Sequence, residues 1–119
     1  TLMLQPFAQS IVEGGELTFL FFNGKFSHAL RKLPKPNDFR VQLEHGGSWD
    51  YHHPTIAQLS SANKVMEAFG QKPLYARVDM VEFEGELKLM ELEIFEPMLY
   101  IKTPELARTF AQAIKSRLP

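Results

Sequence analysis

The sequence predicts an α+β fold, an antiparallel sheet with helices packed against it. Three observations carry this. Turn-forming residues at Asn23-Gly24 and Glu84-Gly85-Glu86 each join two apolar runs of strand length. Segments opening at Thr55 and Thr103 repeat apolar residues at helical spacing. No internal repeat or low-complexity run competes with that reading.

The elements follow in order. Glu16 to Phe22 (ELTFLFF) is a near-continuous apolar run, as expected of a strand buried on both faces. Asn23-Gly24 accommodates the positive φ angles of a tight hairpin, and Lys25 to Leu33 then reads as the partner strand. From Pro34 to Pro54 the chain is rich in turn formers, which predicts a long loop with one short strand at Phe39 to Leu43. Thr55 and Gln58 form a capping-box pattern that opens a helix with the stripe Ile56, Leu59, Ala62, Val65, Met66 and Phe69, and Gly70 ends it. Leu74 to Phe83 and Leu87 to Ile94 are a second pair of strands. Thr103-Pro104-Glu105 starts a last helix on the stripe Leu106, Phe110, Ala113 and Ile114.

Composition narrows the function. Thirteen Lys and Arg against fourteen Asp and Glu leave a formal charge of -1, so no basic field exists to hold a nucleic-acid backbone. The absence of cysteine removes disulfides, thiolate metal sites and cysteine nucleophiles, and suits a cytoplasmic protein. Apolar runs are far shorter than the ~20 residues that cross a bilayer, so no membrane partner is expected. The sequence begins Thr1-Leu2-Met3-Leu4, without an initiator methionine or a signal-peptide plan. Residues 1–119 read as a single domain taken from a longer protein.

The residues able to do chemistry cluster on the second hairpin. Arg77 and Asp79 share one strand face by the period of two, as do Glu91 and Glu93 on the partner. A three-residue turn, which we favour, sets Asp79 opposite Glu91 and Arg77 opposite Glu93; a two-residue turn sets Asp79 opposite Met90. Facing carboxylates repel unless a cation or an arginine offsets them. Hard oxygen donors would select Mg²⁺ or Mn²⁺, and a solvated sheet face is the alternative. Arg31, Lys32 and Arg40 flank the long loop, and Gly46-Gly47 would let backbone N–H groups approach an anion, or simply form a flexible turn. The histidines His28, His45, His52 and His53 show no zinc spacing, and no serine sits in a nucleophile elbow.

In their order along the chain, these stretches resemble the C-terminal part of the ATP-grasp ligases, most nearly the ATP-binding region of prokaryotic glutathione synthetases and related carboxylate-amine ligases. The opening MLQPFAQSIVEGGEL is similar to the family strand that carries the adenine contact, which implies Leu4 and Gln5 at the base. FSHALRKLP resembles the strand whose arginine faces the phosphates, which implies that role for Arg31. DFRVQLEHGG resembles the substrate-side loop, with Arg40, Gly46 and Gly47 at the acyl-phosphate end. RVDMV and LMELEIFEP resemble the paired metal strands, so Asp79, Glu91 and Glu93 are the implied ligands of the magnesium or manganese that accompanies ATP. The family usually has asparagine where this chain has Glu93, and an arginine common after the Gly-acid pair is replaced by Leu17-Thr18. The implied reaction phosphorylates a small-molecule carboxylate with ATP and lets an amine displace the phosphate, with Arg31 and Arg40 stabilising charge on the transferred group. The upstream lysines and glycine-rich lid of the family are not in these residues, so the chain alone is expected to be inactive. An ATP-grasp-like module serving only in binding or structure is the alternative.

Overall fold

The computed structural model describes residues 2–119, and its order of elements is helix α1 (Ser10–Gly14), strands β1 (Glu16–Phe22), β2 (Lys25–Leu33) and β3 (Ser48–His52), helix α2 (Ile56–Phe69), strands β4 (Tyr75–Phe83) and β5 (Glu86–Glu93), and helix α3 (Pro104–Lys115). The strands form one antiparallel sheet in the order β3-β2-β1-β4-β5. β1 is central and buried along its whole length, as its apolar run requires.

The sheet has two unlike faces. On one, Leu17, Phe19, Phe21, Ala29, Ala76, Val78 and Met80 pack with Ala62 and Met66 of α2 into the core. Removing this apolar area from water is the main contribution to folding. The capping box forms: the Thr55 hydroxyl accepts from the Gln58 N–H and the Gln58 side chain accepts from the Thr55 N–H. Ile56, expected in the stripe, instead lies 91% exposed before the first turn faces the sheet. The other face carries the even-numbered residues of β1. Phe110 of α3 closes its far end against Phe22 and Tyr75, with ring centroids 4.9 and 6.4 Å away.

Three expectations about local structure need correction. The opening segment is not a strand: residues 2–7 have no regular structure, and the helix α1 follows. The strand expected at Phe39 to Leu43 lies instead at Ser48–His52, after a 3₁₀ turn at Leu43–His45. β3 pairs with β2 through Trp49 and Tyr51, whose alternation with polar residues suits a half-exposed edge. The turn between β4 and β5 has two residues, Glu84 and Gly85, both at positive φ, with Phe83 opposite Glu86.

A bulge restores the expected pairing. The register slips between Asp79 and Met80, leaving Met90 as the additional residue, so Asp79 stands opposite Glu91 and Arg77 opposite Glu93. Without that slip Asp79 would meet Met90, and Glu91 and Glu93 would turn toward the α2 core. Deletion of Met90 is therefore expected to keep the acidic residues in place and shift the melting point by only a few degrees. Deletion of Leu92 would pull Glu93 opposite Val78 in the core and unfold the chain. Cross-strand amide contacts measured by NMR decide this, and unfolding by both deletions would show that the bulge itself is indispensable.

Candidate functional site

The even-numbered face of β1 places a carboxylate and a hydroxyl, Glu16 and Thr18, each beside one charged neighbour. Lys32 lies directly opposite Glu16 on β2, and Asp79 opposite Thr18 on β4. The Lys32 ammonium bridges Glu16 Oε1 at 3.0 Å and Asp79 Oδ1 at 3.2 Å. The Thr18 hydroxyl donates to the same Asp79 oxygen at 2.5 Å. Asp79 is 2% exposed, and its second oxygen accepts from Arg77 Nε at 2.8 Å.

Arg77 organises the outer half of the site. Its Nη2 lies 2.7 Å from Glu91 and its Nη1 3.1 Å from Glu93, so one guanidinium contacts all three carboxylates read from the sequence as metal ligands. The carboxylates grade from the buried Asp79 to Glu91, whose side chain is 56% exposed at the β5 edge. Among the described residues no three acidic or histidine side chains are grouped to hold a metal, because Arg77 stands between them. The donor set nevertheless fits a hard cation. The donors of Asp79, Glu91 and Glu93 are all oxygens, they converge on a single positive group, and among the described residues the four carboxylates of this row pair with two cations.

Burial sets the ionisation of the inner pair. It raises the Glu16 carboxyl above its ordinary value, the nearby Asp79 charge adds to the rise, and Lys32 partly opposes it. Burial alone would lower the Lys32 ammonium, but Asp79 and Glu16 more than offset that, so it stays firmly protonated. A backbone strap then crosses this face. The His28 Nε2–H donates to the Leu99 carbonyl at 2.9 Å, which leaves Nδ1 to accept from the Ser27 hydroxyl, and burial holds the ring neutral by lowering its pKa. Tyr75 and Tyr51 donate to the carbonyls of Phe95 and Tyr100.

The other sequence-derived candidates lie apart from this cluster. Arg31 stands opposite Leu17, on the α2 side of the sheet, and donates to the Gly14 carbonyl at 2.8 Å. The period of two that brings Lys32 to the carboxylates necessarily turns its neighbour away. Arg40 forms a two-pronged pair with Asp38 on the surface, at 3.1 and 2.8 Å, and that bonding holds the Asp38 carboxyl well below its usual range. The N–H groups of Gly46 and Gly47 are not open to an anion, since they donate to Leu43 and Gln42 within the 3₁₀ turn. Gly47 is required by packing, for a Cβ there would lie 2.2 Å from the Val41 carbonyl oxygen. Leu4 is 92% exposed, and Gln5 reaches the Met90 sulfur at 3.5 Å, next to the bulge. On sequence alone Lys32 reads only as a flank of the long loop, without a role at the carboxylates, and Thr18 is passed over. The signal was present: both fall on the parity of the strand register that carries Asp79.

No family model matches the chain. The cycloserine biosynthesis protein DcsG of Streptomyces lavendulae is 32% identical, over 98% of this chain and 42% of that protein. The crystal structure of D-cycloserine synthetase DcsG superposes with a TM-score of 0.73 at 27% identity, covering 97% of this chain and 42% of that one. A D-alanine–D-alanine ligase from Bacillus anthracis gives 0.56 at 17% identity over 84% and 37% of the two chains. The ATP-grasp ligase PsnB, solved with Mg and ADP, gives 0.58 at 14% over 86% and 34%. The chain thus spans about two fifths of the length of these proteins.

The inner ion pair gives a pH test. Because the folded pKa of Glu16 lies above its ordinary 4.5, its ionisation costs nothing below that value and lowers stability as pH rises through the folded one. Glu16→Gln is neutral throughout. Its melting point relative to the native chain is expected to rise over the pH range that begins at the ordinary 4.5 and climbs above it. A constant or falling difference across that window would show that Lys32 stabilises the ionised form more than burial opposes it.

Proposed function

From a chain with the ATP-grasp ligase fold, we propose that these residues form the metal- and phosphate-facing wall of an ATP-dependent carboxylate-amine ligase. The observation that carries this is the convergence of Asp79, Glu91 and Glu93 on one cation, on a face left with excess negative charge. The similarity to DcsG and to D-alanine–D-alanine ligase supports the ligase class, and the sequence resemblance to prokaryotic glutathione synthetases supports the carboxylate-amine subtype. The substrates proposed are a small carboxylate and a small amine, in a cytoplasmic setting.

Asp79, Glu91 and Glu93 would hold the Mg²⁺ or Mn²⁺ of ATP, which when bound supplies charge neutralisation to the phosphate oxygens. Arg77, now paired with Glu91 and Glu93, would have to give up those pairs for the metal to be held there, and its donors would then be available to the transferred phosphoryl group. Lys32, fixed between Glu16 and Asp79, takes the phosphate-side role that the sequence resemblance had implied for Arg31. Thr18 holds Asp79 in one rotamer through its buried hydroxyl. In this reading ATP phosphorylates the substrate carboxylate, and the amine then expels phosphate to give an amide. Arg40 sits on the acceptor side once it exchanges Asp38 for substrate, and Leu4 and Gln5 lie toward the base. The internally bonded Gly46-Gly47 turn and the Arg77-closed carboxylates favour the second reading, a module that has kept the fold without the reaction.

Calorimetric titration of the chain with ATP tests the proposal. Binding is expected to be weak, to require Mg²⁺, and to fall by about tenfold in Lys32→Met while Arg31→Met leaves it unchanged. Glu91→Gln is expected to remove the Mg²⁺ dependence with little change in melting point, since that carboxylate is largely exposed. Equal losses in Lys32→Met and Arg31→Met would put the phosphates on the wrong face, and no binding under any condition would favour the inactive module.

A further inference from the structure

The Lys32 ammonium has three hydrogens and, besides its pairs with Glu16 and Asp79, lies under the face of Tyr100, whose ring centroid is 5.7 Å from Nζ. The ring reaches that position at a backbone cost. Tyr100 has φ of +52°, in the left-handed region that bulky residues rarely enter. A single hydroxyl fixes it there: Tyr51 donates to the Tyr100 carbonyl at 2.7 Å and accepts from the Lys102 N–H at 3.2 Å, clasping the chain on both sides of the strained residue.

Tyr51 is itself set by the sheet. It pairs with Leu30, which points its side chain to the Lys32 face, and its ring meets Trp49 and His28 edge-on with centroids at 5.4 and 6.0 Å. Trp49 pairs directly with Lys32 and packs edge-on against Tyr100 at 5.0 Å. The β3 side of the charged row is thus closed by three aromatic rings that the ligation chemistry above does not use.

Resting on the assignment of Lys32 to the phosphate side, we propose that Tyr51 is a positioning residue: it holds the Tyr100 ring as a roof over the Lys32 ammonium and so determines how anionic groups reach that cation. An aromatic face over the ammonium keeps water from its third N–H and strengthens its remaining pairs. An anion therefore meets Lys32 from the open, Glu91 side, or only after the segment around Tyr100 lifts. Bulky anions approaching from β3 are excluded.

The test is acylation of Lys32 in the 119-residue chain by a small acetylating reagent, quantified by peptide mass mapping against the exposed Lys64 and carried out well below each variant's melting point. Tyr51→Phe keeps the ring and loses only the hydroxyl. It is expected to raise Lys32 labelling about tenfold, as the loss of a clasp worth about 1.4 kcal/mol would do. Tyr100→Leu should do the same, whereas Tyr100→Phe, which keeps both the ring and the carbonyl, should label like the native chain. The emission of Trp49, the only tryptophan, should shift in Tyr51→Phe and Tyr100→Leu. Native-like labelling in those two variants overturns the proposal, and so does raised labelling in Tyr51→Phe with unmoved Trp49 emission. A parallel arm adds Mg²⁺ and ATP. If nucleotide fails to protect Lys32 in any variant, the phosphate-side assignment is lost while the labelling contrast still decides the roof.

Discussion

The site depends on one carboxyl side chain, Asp79, buried on β4 between the central strand and the edge strand β5. An isolated carboxylate in such a place would cost several kcal/mol, and removing one partner from a buried pair typically costs about 3–5 kcal/mol. Here the hydroxyl of Thr18, the ammonium of Lys32 and the guanidinium of Arg77 satisfy both oxygens, with each partner supplied by a residue held in register. The register of β1 against both neighbours is therefore constrained twice, by the apolar face it gives to α2 and by the polar face it gives to Asp79. Glu16 extends the same logic by one residue. It pairs with Lys32 at the cost of its own desolvation.

The charged row is graded in exposure, and the grading suits exchange. At the inner end, Lys32 and Asp79 are committed to each other behind the sheet's own backbone. At the outer end, among the described residues, Glu91 and Glu93 pair with Arg77 alone, Glu91 exposed on the edge strand and Glu93 half-buried. Interactions of the exposed kind are individually weak and easily exchanged. The proposed cation would thus meet the part of the cluster that rearranges most cheaply, and the part that fixes the geometry would stay in place.

Much of the fold was legible because it rests on local rules: the hairpin at Asn23-Gly24, the capping box at Thr55 and the glycine stop at Gly70 all follow from residue chemistry within a few positions. β3 was misplaced because its Trp49 and Tyr51 lie in a stretch dominated by turn formers, and its existence depends on pairing with β2. The site was legible in part. The facing of Asp79 with Glu91 was expected from a three-residue turn, yet it arises from a two-residue turn and a bulge at Met90. The proposed transfer of the phosphate-side role from Arg31 to Lys32 has a similar origin: motif order locates a strand well, but a one-residue uncertainty reverses which side chain shares a face with Asp79.

That bulge also bears on how the hairpin tolerates change in length. Because Met90 lies between the turn and the charged residues, it acts as an expansion joint. A residue gained at the turn can be absorbed by straightening the ladder, and the acidic pair need not move. Chains of this architecture are then free to differ by one residue at the tip while keeping the same chemistry below it. An engineer seeking a place to insert a tag or a spectroscopic probe would choose Glu84-Gly85, where an added Cβ at Gly85 meets nothing within 4 Å and the cost is confined to the left-handed backbone.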